Sequence, residues 1–404
     1  MRLDKDAKWS VQTSPHYYFP GEADYHMSKI LYVVSNLRRC GPTTQLLSII
    51  RSLDGKYEPE VLTMSPEPDY SLRFDFDKEG VSLSSMGLSR LQGVVRAKRL
   101  LLEKIRLFRP DIIHTQGIRA DSLSAGVNGN HLKCATIRNY PWHDYPTKFG
   151  KVLGTMMALQ HIHALKRIDW PIACSHAIAK LVSKYGLKPK IIQNGVETDH
   201  YRPVKEGERK MLRMRLGLPV EAKIVIAVGS LNSLKNTQTV IRGLYDRTCH
   251  ENVLLLLAGS GPMEVAYKAL AIKSPNIRFL GQVTNVADYL RASDVFASAS
   301  LSEGLPNSVL EALSCGLPVV ISDIPQHREI LDYGPTAGVL FPVKRSDILT
   351  RELDEMLKVD KTPQSASLDV AQNFLSAIRM SSSYQEVYDE MIASRRHHGG
   401  IQNI

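Results

Sequence analysis

In Ser302-Glu-Gly-Leu-Pro-Asn-Ser-Val-Leu-Glu-Ala-Leu-Ser-Cys-Gly-Leu-Pro-Val-Val320, two glutamates stand eight positions apart on either side of a Gly-Leu-Pro turn. Pro306 suits the first turn of a helix, and Gly316 suits the residue that ends one. The stretch therefore predicts a loop that carries Glu303, a short helix that carries Glu311, and a buried strand after the second Gly-Leu-Pro. A strand, a loop and a helix in this arrangement are typical of an open α/β sheet.

The spacing of the two glutamates disfavours a paired acid and base. At about 1.5 Å per helical residue, and more in extended loop, their backbones lie roughly 12 Å or more apart, whereas glycosidase carboxyl pairs work at about 5–9.5 Å. The helix start between them, where Asn307 and Ser308 are good capping residues, offers N–H groups to a phosphate. Gly304 would let the backbone approach a ligand closely. The pattern favours one elongated ligand with phosphates at its centre.

Alternating strand and helix patterns extend over the rest of the chain. A β-branched pattern at 29–35 leads through a glycine-bearing loop into an amphipathic stretch, and a fresh series begins at 223–229. The length of 404 residues exceeds the usual size of one core. We therefore expect an α/β protein of the following parts: an extension, 1–26, without the apolar core of a secretory signal; two Rossmann-like domains, 27–200 and 201–370; and a C-terminal helix and tail, 371–404.

The charge of the chain is unevenly distributed. The net charge is +10, and residues 1–200 hold 28 Lys and Arg against 19 Asp and Glu, whereas residues 201–404 hold 23 against 22. Long-range attraction of anions should therefore come from the excess positive charge of the first half. Five widely spaced cysteines without a C-x-x-C pair favour reduced thiols in the cytoplasm over disulfides or a zinc site. No apolar run approaches the roughly 20 residues of a transmembrane helix.

Several further motifs follow in the order found in one enzyme family. With the E-x7-E pattern of Glu303 and Glu311, the chain resembles the retaining GT-B glycosyltransferases of the GT4 family. The resemblance covers most of the chain through these motifs: Cys174-Ser-His-Ala-Ile178, Gln193-Asn-Gly-Val-Glu-Thr-Asp199, Val228-Gly-Ser-Leu-Asn-Ser-Leu-Lys235, Leu257-Ala-Gly-Ser-Gly-Pro262 and Phe279-Leu-Gly-Gln-Val283. It implies a GT-B fold, in which an N-terminal acceptor domain and a C-terminal nucleotide-sugar domain face a central cleft.

The resemblance also implies roles for the residues at the motif positions. Glu303 would contact the donor sugar next to the chemistry, and Glu311 would bind the ribose hydroxyls. Lys235 would hold the diphosphate, which suits a compact charge with three donors. The remaining donor-binding positions are Gly304 and Leu305 beside the sugar and phosphates, Gly281 and Val283 beside the base, and Gly229 in the loop before Lys235. Family members often carry Arg where this chain has Ser230, so more of the neutralisation would rest on Lys235 and the helix amides.

The implied reaction is transfer of a sugar from a nucleotide sugar, such as a UDP-sugar, to an acceptor hydroxyl with retention at the anomeric carbon. A preorganised cationic site would stabilise the leaving diphosphate without a metal, and we expect no cofactor. Asp75 and Asp77 match the D-x-D of another glycosyltransferase fold, but they lie far from the donor motif. We interpret them as loop charge.

The first domain departs from the family pattern at two positions. Gln116 and Arg138 stand where many relatives carry His, and neither side chain can act as a general base. Arg138 could balance charge on a phosphate or acceptor, while His143 and Asp144 are titratable alternatives, so Arg138 and His143 are the catalytic candidates of this half. We interpret His114 as a hydrogen-bonded residue at a strand end.

Two features of the first half each keep two interpretations. Asn36 and Gly41, in the loop after the first strand, suit either turn chemistry or contact with an acceptor or phosphate. The segment 90–109 has seven cations and one acid beside an apolar stripe. It suits either a domain helix with a basic outer face or a membrane-surface helix, and the net charge of the first half slightly favours the second.

The sequence thus predicts a glycosyltransferase, of the hexosyl or N-acetylhexosaminyl class, in the assembly of bacterial surface polysaccharide such as O-antigen, capsule or exopolysaccharide. Its expected location is the cytoplasm or the inner face of the cytoplasmic membrane. The expected partners are a nucleotide-sugar donor, a glycan or lipid-linked acceptor and anionic membrane, but no nucleic acid. The alternatives are a small soluble acceptor, or a non-catalytic nucleotide-sugar-binding protein. The loop after the first strand lacks the G-x-G-x-x-G of a dehydrogenase.

Overall fold

A computed structural model describes residues 27–129, 131–245, 252–358 and 363–399. The expected N-terminal extension, 1–26, and the end of the tail from residue 400 lie outside the described residues. Cys249 does so as well, while the four described cysteines are all free thiols. No described helix has the length and apolar character that crossing a membrane requires. The same residues contain no cluster of His, Cys, Asp and Glu with the geometry of a metal site.

The first half folds into a seven-stranded parallel sheet in the order β3-β2-β1-β4-β5-β6-β7. Its elements are β1 Ser28–Val34, α1 Gly41–Arg51, β2 Tyr57–Thr63, α2 Arg73–Lys78, β3 Ser82–Ser85, α3 Arg90–Phe108, β4 Ile112–Gln116, α4 Ile118–Ala125, β5 Leu132–Ile137, α5 Pro141–Phe149, α6 Lys151–Leu165, β6 Trp170–Ala173, α7 His176–Ser183 and β7 Lys190–Ile191.

The second half folds into a six-stranded parallel sheet in the order β10-β9-β8-β11-β12-β13. Its elements are α8 Glu206–Arg215, β8 Lys223–Val228, α9 Thr237–Tyr245, β9 Val253–Ala258, α10 Glu264–Leu270, β10 Ile277–Gly281, α11 Val286–Ala292, β11 Val295–Ser298, α12 Asn307–Ser314, β12 Val319–Ser322, α13 Pro325–Leu331, a 3₁₀ turn Pro335–Ala337, β13 Gly338–Phe341, α14 Ser346–Lys358, α15 Pro363–Asp369, a π-helical turn Val370–Phe374 and α16 Ala377–Gly399.

Both sheets reverse their strand order at the first strand of the half. In the first sheet β1 lies between β2 and β4, and in the second β8 lies between β9 and β11. The central strands are apolar on both faces because helices cover both, which explains their continuous Val, Ile and Leu runs. At such a reversal the helices leave a crevice at the carboxyl ends of the strands, where ligands of open α/β sheets bind. The expected two-part α/β architecture is confirmed.

Helix α16 leaves the second sheet and packs against the first. The chain crosses back beside the connection between the halves, where the amide of Ala377 donates to the carbonyl of Val196 at 2.8 Å. Farther along α16, the hydroxyl of Tyr388 lies 2.7 Å from Nδ1 of His114, whose Nε2 lies 2.8 Å from the hydroxyl of Thr136. Burial lowers the pKa of His114 to about 3. The hydrogen bonding expected of His114 is confirmed, but the residue lies in the middle of β4 and not at a strand end. The imidazole stays neutral.

The interpretation of Asp75 and Asp77 as loop charge is wrong in one respect, because both lie on α2. Asp75 accepts a hydrogen bond from Arg39 at 2.8 Å, and Asp77 lies 3.8 Å from Arg73 one helical turn earlier. Each carboxylate therefore has a cationic neighbour. The segment folds as a helix because Phe76, which is fully buried, anchors its inner face.

Candidate active site between the two sheets

Helix α12 places the two glutamates as the sequence predicts. It begins at Asn307 and ends at Ser314, so Glu303 lies in the preceding loop and Glu311 on the helix. The prediction of a capping role for Asn307 is wrong: no side chain caps the helix, and the N-cap position is Pro306. The Asn307 amide instead donates to the carbonyl of Gly41 at 3.3 Å. The first N–H groups of α12 thus have no side-chain cap and can bind an anion.

Glu303 forms the central ion pair of the site. Its Oε1 lies 2.6 Å from Nζ of Lys235, and the Glu303 side chain is only 9% exposed. Burial alone would raise the pKa of Glu303, but the charge and hydrogen bond of Lys235, assisted by Ser300, outweigh it and lower the pKa. The carboxylate is therefore ionised at neutral pH.

Glu311 has the opposite electrostatic behaviour. Burial raises its pKa to about 7, although a hydrogen bond with Tyr201 and the charge of Lys235 oppose the shift. Glu311 therefore gains or loses its proton near neutral pH, unlike Glu303. The same burial, and the neighbouring carboxylate, raise the pKa of the Tyr201 phenol.

Glycines with positive φ stand at the carboxyl ends of β8, β9 and β10. Gly229 and Gly259 follow β8 and β9, and Gly281 is the last residue of β10; their φ values are +151°, +136° and +67°. A Cβ at Gly259 would lie 2.0 Å from the carbonyl oxygen of Gly229, so the two turns require glycine for their close approach. A Cβ at Gly229 would lie 3.4 Å from Cε of Lys235, so this turn packs against the lysine stem.

The Val283 carbonyl, expected beside the base, faces the first half of the chain. The hydroxyl of Tyr70 donates to it at 3.4 Å. The guanidinium of Arg39 lies over the Tyr70 ring, 5.8 Å from its centroid. The loop between β2 and α2 therefore reaches the part of the second half where the resemblance places the base.

Gln116 and Arg138, the two departures from the family pattern, contact each other. Nε of Arg138 donates to Gln116 at 2.8 Å, and its Nη1 donates to Asn194 at 2.6 Å. Its Nη2 is buried and has no hydrogen-bond partner among the described residues. Arg138 is thus a fixed cation with one unused donor, and the two departures act as a pair. The chemistry of a guanidinium fits charge balancing and excludes a general base.

The backbone at Gly304 and Leu305 is held by the first half of the chain. A Cβ at Gly304 would lie 1.8 Å from the carbonyl oxygen of Arg138, so glycine is required for this contact. The carbonyl of Leu305 accepts a hydrogen bond from Asn194 at 2.8 Å, and Oδ1 of Asn307 accepts another at 3.0 Å. The close approach expected at Gly304 thus occurs with protein backbone.

His143 lies on α5 at the mouth of the same cleft. Its Nδ1 is 3.1 Å from the hydroxyl of Ser302, next to Glu303. Burial lowers the pKa of His143, so the imidazole is neutral and can accept a proton at pH 7. Asp144, the other titratable alternative, forms an ion pair with Lys148 at 2.9 Å.

The two loop candidates after β1 differ in position. Oδ1 of Asn36 accepts from the amide of Arg38 at 3.3 Å, which is turn chemistry. Gly41 opens α1 and contacts Asn307 through its carbonyl. Of the two, Gly41 is the one in contact with the α12 start.

Sequence reasoning missed two residues beside the site. His327 is fully buried on α13, and its Nδ1 donates to the carbonyl of Ser322 at 2.7 Å. Its Nε2 has no hydrogen-bond partner among the described residues. Burial lowers the pKa of His327 to about 4, although Glu303 opposes the shift.

Glu329 accepts hydrogen bonds from the first amides of α7, at His176 and Ala177. A carboxylate from the second half thus stabilises a helix start in the first, a contact that no local motif indicates.

Comparison with known sequences places the chain in a family. The models described as Glycosyltransferase Family 4 and Glycosyl transferases group 1 match residues 40–200 and 222–358, one in each half. An O-antigen biosynthesis glycosyltransferase, WclY of Escherichia coli, is 24% identical over 90% of this chain and 98% of its own length. The alpha-monoglucosyldiacylglycerol synthase of Streptococcus pneumoniae is 30% identical over 57% of this chain and 56% of its own length.

Solved structures share the fold over nearly the whole chain. Anabaena HepE in complex with UDP-glucose superposes with a TM-score of 0.77 at 16% identity, covering 90% of this chain and 99% of its own. WaaG, a glycosyltransferase involved in lipopolysaccharide biosynthesis, gives a TM-score of 0.68 at 13% identity over 89% and 99%. The chain therefore belongs to the group 1 glycosyltransferases of family 4 and has their GT-B fold.

Proposed function

We propose that the protein is a retaining glycosyltransferase that moves a sugar from a UDP-sugar to an acceptor hydroxyl in the assembly of a bacterial surface polysaccharide. The observation that carries the proposal is the Lys235–Glu303 ion pair, 2.6 Å long, beside the uncapped start of α12. A donor diphosphate would find a cation and free amides there, between a carboxylate for the sugar and one for the ribose. The O-antigen role of WclY and the UDP-glucose bound to HepE support the setting and the donor.

In the proposed transfer each site residue has its own role. The acceptor oxygen bonds to the anomeric carbon, the bond from that carbon to the diphosphate breaks, and its electron pair stays on the diphosphate. Lys235 and the α12 amides stabilise this charge without a metal. Glu303, kept ionised by Lys235, contacts the sugar. The proton of the acceptor hydroxyl goes to the diphosphate or to neutral His143, which faces the Glu303 loop through Ser302.

Arg138 takes no proton in this scheme. Its buried Nη2 would donate to an anionic group of the acceptor or to the departing phosphate. Gln116 and Asn194 hold the guanidinium by its other two nitrogens, so Nη2 is already oriented for its hydrogen bond before the ligand binds.

The acceptor is proposed to be lipid-linked and reached at the inner face of the cytoplasmic membrane. On α3, Arg96, Lys98 and Arg99 are exposed, and Leu91 and Val95 are 85% and 82% exposed. An exposed face of cations interleaved with apolar side chains is more favourable in contact with an anionic bilayer than in water. A small soluble acceptor would leave these side chains without a function.

The test is turnover of a panel of nucleotide sugars by the wild type, Glu303→Ala and the control Glu264→Ala. Glu264 is a glutamate of α10 that pairs with Lys268 on the surface of the same half. We expect Glu303→Ala to lose about 100-fold or more in kcat and Glu264→Ala to retain wild-type activity. Full activity of Glu303→Ala would contradict the donor-site assignment.

A second candidate function is favoured by Gln116 and Arg138, which replace the family's usual histidines. A protein whose catalysis has decayed would bind a nucleotide sugar without turning it over. Calorimetry with UDP-sugars separates the two candidates. Tight binding of a donor with neither hydrolysis nor transfer by the wild type would favour the non-catalytic function.

A further inference from the structure

Helix α6 exposes an apolar stripe that no other described element covers. Val152, Leu153, Met156 and Leu159 are 78%, 54%, 62% and 56% exposed, and Phe149 at the end of α5 is 41% exposed. The opposite face of α6 is apolar as well and is buried in the domain. A helix that is apolar on all sides normally lies in a core. Here one apolar side faces solvent, and contiguous exposed apolar surface of this kind marks an interaction site.

The hairpin formed by α5 and α6 is firmly held, so the exposure does not come from loose packing. A Cβ at Gly154 would lie 2.4 Å from the backbone of Pro146, which shows that the two helices touch at their backbones. His161 on α6 donates through Nε2 to the buried carboxylate of Asp121 at 2.7 Å and accepts through Nδ1 from Tyr145 at 2.7 Å. These two contacts fix α6 to α4 and α5. The stripe is therefore a defined surface.

Cations surround the stripe without intervening acids. From residue 145 to residue 168 the sequence contains no Asp or Glu. Lys148 and Lys151 lie exposed at one end of α6, and Lys166 and Arg167 lie exposed at the other. Asp144 and Asp169 flank the segment, and Asp144 is paired with Lys148. The surface thus combines apolar side chains at its centre with positive charge at both ends.

Helix α3 approaches α4 as well. The amide of Gln160 on α6 donates to Ser122 on α4 at 3.5 Å. At the α3 end, a Cβ at Gly93 would lie 3.3 Å from Nη2 of Arg119 at the start of α4. The exposed Leu91, Val94 and Val95 of α3 lie within the same turns as Gly93. Two apolar and basic helix faces therefore flank α4.

We propose that these exposed faces of α6 and the first half of α3 form a docking surface for an anionic lipid bilayer. The α6 stripe would insert between the headgroups, and the lysines and arginines at its ends would contact lipid phosphates. The inference deepens the proposed function and rests on it for the lipid-linked acceptor. Because α5 carries His143 beside Ser302, docking through its hairpin would bring the cleft to the membrane surface.

A second copy of the chain fits this surface less well than a bilayer does. A twofold interface brings the same patch of both subunits together. The cations at the ends of α6 and on α3 would then face their own copies, and like charges at an interface oppose association. An anionic bilayer instead complements the positive charge and covers the apolar side chains at the same time.

The test is flotation of the full chain with vesicles of phosphatidylethanolamine and phosphatidylglycerol, and with pure phosphatidylcholine vesicles for comparison. The variant Val152→Ser/Met156→Ser/Leu159→Ser removes the centre of the stripe without touching a buried residue. The matched control is Val265→Ser/Ile272→Ser, which removes apolar side chains that are 82% and 81% exposed near α10 of the other half. We expect the stripe variant to lose about tenfold in vesicle affinity and the control to float as the wild type.

Three results would overturn the inference. The first is flotation of the stripe variant equal to that of the wild type, and the second is an equal loss in the α10 control. The third is a wild-type dimer in light scattering that the stripe variant converts to a monomer, which would assign the surface to a second copy. A tryptophan placed by Met156→Trp gives an independent signal, since a blue shift on anionic vesicles alone requires insertion.

The inference and the proposed function can fail separately. Hydrolysis of a UDP-sugar in the absence of vesicles depends on the cleft and not on α6. Donor hydrolysis without flotation would overturn the docking surface alone. Stripe-dependent flotation without any donor turnover would overturn the proposed function and leave the docking surface standing.

Discussion

The two sides of the cleft differ in how much of their geometry comes from one stretch of the sequence. On the second-half side, Glu303, Glu311 and the start of α12 come from a single window, and Lys235 joins them from the loop after β8. On the first-half side, Arg138 depends on Gln116 and Asn194, which are 22 and 56 residues away. Local spacing can specify Glu303, Glu311 and the α12 start because one loop and one helix fix their geometry. Lys235 lies 68 residues before Glu303 and reaches it only through the folded sheet. The second arrangement exists only after the sheet has formed.

This contrast implies that the donor side tolerates less change than the acceptor side. In the proposed function Lys235 is the cation for the diphosphate, since Ser230 stands where the resemblance leads us to expect arginine. On the other side Arg138 is held by two neutral amides, Gln116 and Asn194. Substitutions on the two sides should therefore differ in their effect on turnover, and we expect loss of Lys235 to cost most.

Lys235→Ala should reduce kcat/KM for the nucleotide sugar by about 100- to 1,000-fold, because the leaving diphosphate loses its cation and Glu303 loses its partner. Lys235→Arg should recover part of the activity, since the charge stays and the shape changes. The measurement is steady-state kinetics with saturating acceptor. Lys268→Ala, at a surface lysine of α10 that pairs with Glu264, is the control. Equal effects of the two alanine variants would show that Lys235 has no special role.

Much of the second half could be predicted because its signals are local. Pro306 and Gly316 bracket α12 within one or two residues, and glycines with positive φ mark the carboxyl ends of β8, β9 and β10. Even here the capping prediction for Asn307 failed. Its amide finds Gly41, 266 residues away, and no property of the surrounding sequence reports such a contact.

The rest of the site could not be predicted because its contacts join distant segments. Glu329 stabilises the start of α7 from 153 residues away, and Tyr388 reaches His114 across 274 residues. Burial of His327 is likewise a tertiary property, since the same residue on a surface helix would look identical in sequence. The outer face of α6 was missed for a related reason: an apolar helix predicts burial, and only the packed structure reveals which side stays open.

Gly304→Ala tests the contact at which the two sides meet. The added Cβ would lie 1.8 Å from the carbonyl oxygen of Arg138, so the halves must separate there. We expect transfer to fall by about 10- to 100-fold, because a displacement of about 1 Å disturbs the alignment of donor and acceptor, while UDP still binds the second half. The measurements are kcat and calorimetric binding of UDP.

The control for this variant is Gly55→Ala, where a Cβ would meet nothing within 4 Å. Its kinetics should match the wild type. A wild-type kcat for Gly304→Ala would mean that the contact between Gly304 and Arg138 is not needed for turnover. A parallel loss of UDP binding would mean that the substitution damages the donor side itself.

Arg138→Lys should cost less, about tenfold in kcat/KM for the acceptor, because the charge remains while the fork that Gln116 and Asn194 hold is lost. UDP affinity should stay unchanged if Arg138 contacts the acceptor and not the departing phosphate. If Gln116 acts only by positioning Arg138, adding Gln116→Ala to Arg138→Lys should cost little more than the single change. Additive losses would show two independent roles, and a loss of UDP affinity would place Arg138 on the donor side.

We expect the smallest effect from Glu311→Gln, which distinguishes a role in donor binding from a role in stability. The pKa of Glu311 in the folded protein is about 7, so deprotonation between pH 6 and pH 8 creates the acceptor that ribose hydroxyls need. Donor affinity should therefore rise a few-fold over this interval in calorimetric titrations, and Glu311→Gln should bind more weakly without the rise.

The raised pKa of Glu311 also makes the stability of the fold depend on pH. Because the folded pKa lies above that of the unfolded chain, the stability that the protonated carboxyl contributes is present below about pH 4.5 and is lost as pH rises through 7. Glu311→Gln removes this loss, so its unfolding midpoint in urea at pH 8 should equal or exceed that of the wild type. A variant that binds donor weakly yet resists urea at least as well as wild type would identify Glu311 as a residue retained for ligand. A variant that is also less stable would show that Glu311 supports the fold through Tyr201.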